Sequence, residues 1–243
     1  MLDAGDTTFG PHLRAVLLDA GGVLVLPDPA RIRQRLGRLG GAAPDDDTCH
    51  RGHYLGMREV DRIGWPDWAS VDRVLGRFYG VPEERLEDAV IELDKVYLED
   101  PWVAVEGAAA ALAGLAAAGL RLGVISNASG TMERMLLDHR ICALEDDPEP
   151  AGEGTVARVA VIVDSHVVGV EKPDPHIFEI ALDAIGLTAD RCLYVGDTVH
   201  FDVEGARAAG LAPVHLDPYG LCPGTDHVHV AALGDLVPLV SAP

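Results

Sequence analysis

Apolar positions follow two different rhythms along this chain. From Pro29 to about Leu98 they recur at three- and four-residue spacing, as in Ile32, Leu36 and Leu39, then Trp68, Val71, Leu75 and Phe78, then Leu86, Val90, Leu93 and Tyr97. That is the helical repeat, and it predicts about four helices with no strand candidate. Pro66 and Pro82 fall where a first helical turn tolerates a missing N–H. After Pro101 the texture changes. "LRLGVIS", "VARVAVIV", "CLYVGD" and "LAPVHLD" read as strands, and "GAAAALAGLAAAG", "MERMLLDH", "PHIFEIALDAIG" and "VEGARAAG" read as the helices between them, with Gly119 and Gly186 as stops. Far upstream, "AVLLD" followed by "GG" reads as a buried parallel strand that ends in a tight turn.

Strands that alternate with helices imply right-handed crossovers and a parallel sheet covered on both faces. The expected fold is therefore α/β, a Rossmann-like doubly wound parallel sheet, with a small α-helical cap inserted after its first strand. On this reading residues 13–26 and 101–243 form the core, 27–100 the cap and 1–12 a loose tail. The segment 142–155, with "CALEDDPEPAGEG", is acidic and rich in Pro and Gly, and is expected to be a long loop, either a surface excursion or a flap. No internal repeat is present.

Composition narrows the classes. With 243 residues, 48% of them apolar, the chain can build a substantial core. A formal net charge of −20 argues against nucleic acid and anionic membrane as partners, since both are polyanions. Cys49, Cys142, Cys192 and Cys222 are widely spaced without a CxxC pair, so neither a zinc knuckle nor a redox motif is expected. The longest apolar run, Gly107 to Leu120, is Ala-rich and too short to span a bilayer, and no basic-then-apolar leader is evident. The expectation is a soluble, cytoplasmic protein, with its oligomeric state left open.

In an open parallel sheet, ligands bind beyond the carboxyl ends of the strands. Asp19 follows "AVLL", Ser126 and Asn127 follow "LGVI", Lys172 follows "VAVIV" and its "VVGVEKP" extension, and Asp197 follows "LYVG". Carboxylates, a hydroxyl and an ammonium gathered at one edge make a poor core, because each buried charge must be compensated. A divalent cation together with a phosphate would compensate them. Only Lys95 and Lys172 are lysines among 19 basic residues, so Lys172 stands where a compact point charge is wanted.

Four motifs in this order resemble those of the haloacid dehalogenase superfamily, whose members are mostly phosphatases. "AVLLDAGGV" is similar to its hhhhDxDx[TV] motif except at the second Asp, "LGVISN" to its strand-end Ser or Thr, "KPDPHIF" to its Lys motif and "GDTVHFD" to GDxxxxD, over roughly residues 14–220. The resemblance implies Asp19 as a nucleophile that takes the phosphoryl group. It implies Mg²⁺ held by Asp19, the carbonyl of Gly21 and Asp197, with Asp202 adding a ligand directly or through water. Ser126, the Asn127 backbone and Lys172 would bind phosphate oxygens, and the substrate would be a small phosphorylated metabolite.

Gly21 stands where the family carries the acid that protonates the leaving group. Three readings stay open: a phosphatase with another acid or an acidic leaving group, a phospho-ligand-binding or regulatory protein with little turnover, and a 2-haloacid dehalogenase. A carbon–phosphorus hydrolase would need an early cap lysine, whereas Lys95 lies near the cap's end. "CHRGHYLGMR" offers His50, His53, Tyr54 and Arg58 as cap contacts to substrate. His200 reads as helix surface, and His227 and His229, in "DHVHV", alternate as strand residues do and imply nothing more.

Overall fold

The computed structural model describes residue 9 and residues 12–64, 67–99, 101–147 and 156–240. Nearly all of the expected tail 1–12, Pro66, and 148–155 of the expected acidic loop lie outside the described residues. The chain divides into two compact units, Met1–Leu24 with Ala104–Pro243, and Val25–Val103. The second unit begins two residues before, and ends three after, the 27–100 expected for the cap.

Strand β1 (Ala15–Leu18) opens the first unit. The second unit then runs through β2 (Val25–Pro27), α1 (Pro29–Gly37), α2 (Asp46–Ile63), α3 (Trp68–Phe78) and α4 (Leu86–Leu98) to β3 (Trp102–Ala104) at its far boundary. Two of its helices, α1 and α2, start where short acidic side chains accept the first free N–H groups. Asp28 accepts from Ala30 N at 2.8 Å, and Asp45 from Thr48 N at 2.8 Å. Ile32, Leu36, Val71, Leu75, Leu86 and Leu93 are buried as their spacing predicts, but Trp68 is 47% exposed and lies off that stripe. Strands β2 and β3 pair as a two-stranded ribbon at the unit's ends, too short for a periodicity signal.

The first unit resumes with α5 (Ala108–Ala117), β4 (Arg121–Ser126), α6 (Met132–Asp138), β5 (Ala143–Leu144), β6 (Arg158–Val159), β7 (Val161–Asp164), α7 (Ser165–Val168) and α8 (Pro175–Ile185). It ends with β8 (Cys192–Gly196), α9 (Gly205–Ala208), β9 (Ala212–Leu216), β10 (Val228–Val230) and α10 (Leu236–Val240). The sheet order is β10-β9-β8-β1-β4-β7, all neighbours parallel. Alternate residues of β1, Ala15 and Leu17, join Ile125, Val163 and Tyr194 in a buried layer against Ile177, Phe178 and Ala181 of α8. Leu18 is level with Val124 of β4 and Val195 of β8, so the next residues of all three strands emerge at one edge.

Local departures from the sequence reading have physical causes. "VARVAVIV" is two strands, because the Ala160 N–H turns to Leu122 O at 2.7 Å; β6 pairs with β5, and β7 joins the main sheet. The expected strand extension to Lys172 is instead the single turn α7, whose start is capped by Asp164 and which ends at Gly169 with φ of 74°. The helix expected at "VEGARAAG" begins earlier, as a wide turn over Val199–Glu204 in which Val203 N donates to Thr198 O at 3.2 Å.

Candidate active site

Every strand end expected to carry chemistry contributes to one edge of the sheet. Asp19 leaves β1 with its N–H donated to Val195 O at 2.8 Å, and its Oδ1 accepts from Ala20 N at 2.6 Å. Its Oδ2 lies 2.8 Å from Lys172 Nζ. The same ammonium is 2.7 Å from Asp202 Oδ1 and 2.9 Å from the Tyr194 hydroxyl. Lys172 is only 1% exposed, which a lone ammonium does not tolerate. Burial pulls its pKa down, but the charges of Asp19 and Asp202 overcome this and hold it above the ordinary lysine value.

Asp202 shows how the edge is locked. Its Oδ1 accepts from Lys172 and from Tyr194 OH at 2.9 Å, and its Oδ2 accepts from Thr198 N at 3.0 Å and Thr198 Oγ1 at 2.6 Å. Burial pushes its pKa up, yet Lys172 and these donors hold it below the usual value. Expected only as a ligand, Asp202 is thus also a fixed anchor for the ammonium. A Cβ on Gly196 would sit 2.1 Å from Asp202 Cγ, so glycine is required there by close approach.

Asp19, Asp197 and Asp202 offer oxygens within 4.8 Å of one another. Burial first, then the charges of Asp202 and Asp197, push the Asp19 carboxyl up to about 7 against the pull of Lys172. Three carboxylates beside one ammonium leave a local excess of two negative charges when all are ionised. Oxygen-only donors with that excess fit a hard divalent cation such as Mg²⁺. Gly21 is half-buried two residues beyond Asp19 and brings no titratable group.

Ser126 is buried at the end of β4. Asn127 differs from the expectation, which involved its backbone alone. Its side-chain Oδ1 accepts from Lys172 N at 2.7 Å and its Nδ2 donates to Lys172 O at 3.0 Å. The loop after β4 is shaped by Asp164, which accepts from Gly130 N at 2.9 Å and Met132 N at 3.3 Å. Tyr194, Thr198 and Asp164 escaped the sequence reading. A tyrosine inside the otherwise aliphatic "CLYVG" was the available sign of the first.

The four cap candidates belong to the second unit. His53 and Tyr54 are buried there, with the His53 ring 5.3 Å from Tyr54, 6.1 Å from Tyr97 and 6.2 Å from Trp102, centroid to centroid. His50 is half-buried and its pKa is lowered by burial, while Arg58 is exposed. Lys95 pairs with Glu92 at 2.6 Å. In the first unit, His200 is half-buried on the turn over Val199–Glu204, with its Nδ1 3.2 Å from Glu204 Oε2.

A protein-family description, haloacid dehalogenase-like hydrolase, matches residues 13–210. The chain is 35% identical to a phosphoglycolate phosphatase of Rhodospirillum rubrum over 143 residues, 58% of this chain and 52% of that protein. It thus spans about half the length of that relative. It is 27% identical to a phosphatase of Mycobacterium tuberculosis over 220 residues, 86% of this chain and 89% of that protein. Among solved structures, a dehalogenase with an intermediate complex superposes with a TM-score of 0.62 at 18% identity, covering 97% of this chain and 100% of the other. A phosphatase from Thermococcus onnurineus superposes at 0.52 and 20% identity, covering 92% and 96%. At such identities the two superpositions establish the fold. No described helix is long and apolar enough to cross a membrane.

Proposed function

Since the chain belongs to the haloacid dehalogenase-like hydrolases, we propose that it is a Mg²⁺-dependent phosphatase that hydrolyses a small phosphorylated metabolite through Asp19. The observation that carries this reading is the convergence of Asp19, Asp197 and Asp202 within 4.8 Å. An enzyme that attacks a halogen-bearing carbon could use Asp19 as nucleophile and Asp202 as the anchor of Lys172, but it has no phosphoryl charge to neutralise and no need of Asp197 beside them to hold a cation. The phosphatase relatives support the same choice.

On this proposal an Asp19 carboxylate oxygen attacks phosphorus, the bond from phosphorus to the leaving oxygen breaks, and an aspartyl phosphate forms. Water then attacks that phosphorus and releases inorganic phosphate, which regenerates the carboxylate. Mg²⁺, held by Asp19, Asp197, the Gly21 carbonyl and Asp202, would supply neutralisation of phosphoryl charge when bound. Lys172 supplies the buried ammonium, and Ser126 with the Asn127 N–H supplies neutral donors to phosphoryl oxygens. Gly21 can hold no proton for the leaving group, so another side chain, solvent or the acidity of the leaving group itself meets that need.

Phosphate release from an aryl phosphate and a panel of sugar and alkyl phosphates, with and without Mg²⁺, tests the reading. Turnover that requires both Mg²⁺ and Asp19 is expected, with Asp19→Asn as the blank. Release of halide from a 2-haloacid, with no phosphate release, would overturn it in favour of carbon chemistry. Tight phosphate binding without turnover would overturn it in favour of a ligand-binding protein.

A further inference from the structure

We infer that His215, Cys222, His227 and His229 form a second metal site, suited to Zn²⁺. One side chain each from β9 and β10, one from the residue just before β10 and one from the intervening loop meet with their ligand atoms within 4.8 Å of one another. The sheet register explains the meeting. His229 is level with His215 on the neighbouring parallel strand, and His227, two residues before His229, falls on the same face. The rings of His227 and His229 stack at 4.4 Å between centroids. Such a site departs from the sequence reading, which gave Cys222 and the "DHVHV" histidines no metal chemistry.

Hydrogen bonding sets the tautomers so that lone pairs face inward. His215 Nε2 is 3.1 Å from the carbonyl oxygen of Asp197, which can only accept, so that nitrogen bears the proton. His227 Nδ1 is 2.8 Å from the Asp226 carboxylate, itself paired with Arg207 at 2.7 Å, so the proton lies there. Neutral rings then point two lone pairs at each other, His215 Nδ1 and His227 Nε2, across 3.1 Å. That arrangement is repulsive unless a proton on His215 or a metal ion stands between them, and the Cys222 sulfur and the unpartnered His229 Nε2 gathered at the same point favour the metal. His229 repeats the pattern: Nδ1 faces the Asp217 carboxylate at 3.7 Å, and Nε2 is buried with no hydrogen-bond partner among the described residues. Metal-bound histidines characteristically hand their other N–H to a carboxylate or carbonyl in this way.

The donor types and two of the separations between donors agree with zinc. Zn–N bonds of about 2.0–2.1 Å and Zn–S of about 2.3 Å place tetrahedral N···N and S···N edges near ~3.3 and ~3.6 Å. The structure has 3.1 Å for His215 Nδ1 to His227 Nε2 and 3.8 Å for Cys222 Sγ to His227 Nε2. Gly224 N donates to Cys222 Sγ at 3.3 Å, as suits a thiolate. A Cβ on Gly224 would approach His227 Cε1 to 2.8 Å and crowd the cluster. Three nitrogens and one sulfur fill a tetrahedron, which makes the site structural, with no open position for substrate. Binding displaces the Cys222 thiol proton to solvent. Through His215 the metal would brace the backbone of Asp197 and so steady the neighbouring carboxylate cluster.

Co²⁺ added to chelator-stripped protein tests the site, because a tetrahedral cobalt–thiolate centre absorbs visibly and shows a sulfur-to-metal charge-transfer band. One Co²⁺ per chain with that band is expected, unchanged in Asp19→Asn, lost in Cys222→Ser, and bleached when Zn²⁺ is added. Zn²⁺ should also raise the thermal midpoint of the wild-type chain by several degrees. A wild-type protein that develops no charge-transfer band would overturn the inference, whatever the folding of the variants. So would a band that survives Cys222→Ser or vanishes in Asp19→Asn, or a thermal midpoint indifferent to Zn²⁺.

Discussion

The side-chain amide of Asn127 holds Lys172 by both of its backbone groups, accepting its N–H at 2.7 Å and donating to its carbonyl at 3.0 Å. Forty-five residues separate the two in sequence, and this pair of bonds ties the end of β4 to the loop that carries the buried ammonium. Asn127 is therefore a positioning residue for Lys172 and, on the proposed function, its N–H also faces the phosphoryl group.

Asn127→Ala removes both bonds and keeps the backbone N–H. Two hydrogen bonds at about 0.5–1.5 kcal/mol each predict a loss of about 5–150-fold in kcat with the Mg²⁺ requirement unchanged. Steady-state kinetics will show the effect mainly in kcat. An unaltered kcat with raised KM would assign Asn127 to substrate binding alone.

Gly196→Ala should damage fold and activity together, since its methyl group would lie 2.1 Å from Asp202 Cγ. Overpacking of this kind costs about 1–3 kcal/mol or more. Gly37→Ala, where nothing lies within 4 Å, is the matched control and should change stability by no more than about 0.5 kcal/mol. Urea unfolding of both variants checks the contrast.

Gly21 predicts a steep dependence on the leaving group. General acid catalysis is typically worth about 10²–10⁴-fold, and esters with basic leaving alcohols need it most. Aryl phosphates should therefore turn over faster than alkyl phosphates by a factor in that range. Equal rates would mean that another side chain supplies the proton.

Asp72, buried on α3, has its carboxyl pushed up to about 7 by burial and then by the charge of Asp94. Between its ordinary pKa of 3.8 and about 7 the folded chain binds more protons than the unfolded one, so stability falls as pH rises through that window. Asp72→Asn should raise the thermal midpoint at pH 8 and leave it nearly unchanged at pH 4, with a gain of about a few kcal/mol at most. Calorimetry at the two pH values is decisive, and a gain confined to low pH would reverse the assignment.

Strand ends were legible because an apolar run that stops at Asp19, Ser126 or Asp197 announces both the strand and the edge it reaches. The helices of the second unit were legible from the spacing of residues such as Ile32 and Leu36. What stayed hidden depends on partners remote in sequence. Tyr194 reads as one more strand residue until Asp202 and Lys172 close on its hydroxyl. His215 and His229 are fourteen residues apart, and only the parallel register of β9 and β10 sets them side by side. The short ribbons β2 with β3 and β5 with β6 fall below the length at which alternation can be recognised.

Covalent participation of Asp19 is the centre of the proposed mechanism, and acid quenching during turnover of a phosphorus-labelled substrate measures it directly. The account predicts label on the peptide that contains Asp19, dependent on Mg²⁺ and absent from Asp19→Asn, which releases no phosphate. Undiminished phosphate release by Asp19→Asn, or label on a peptide without Asp19, would contradict it.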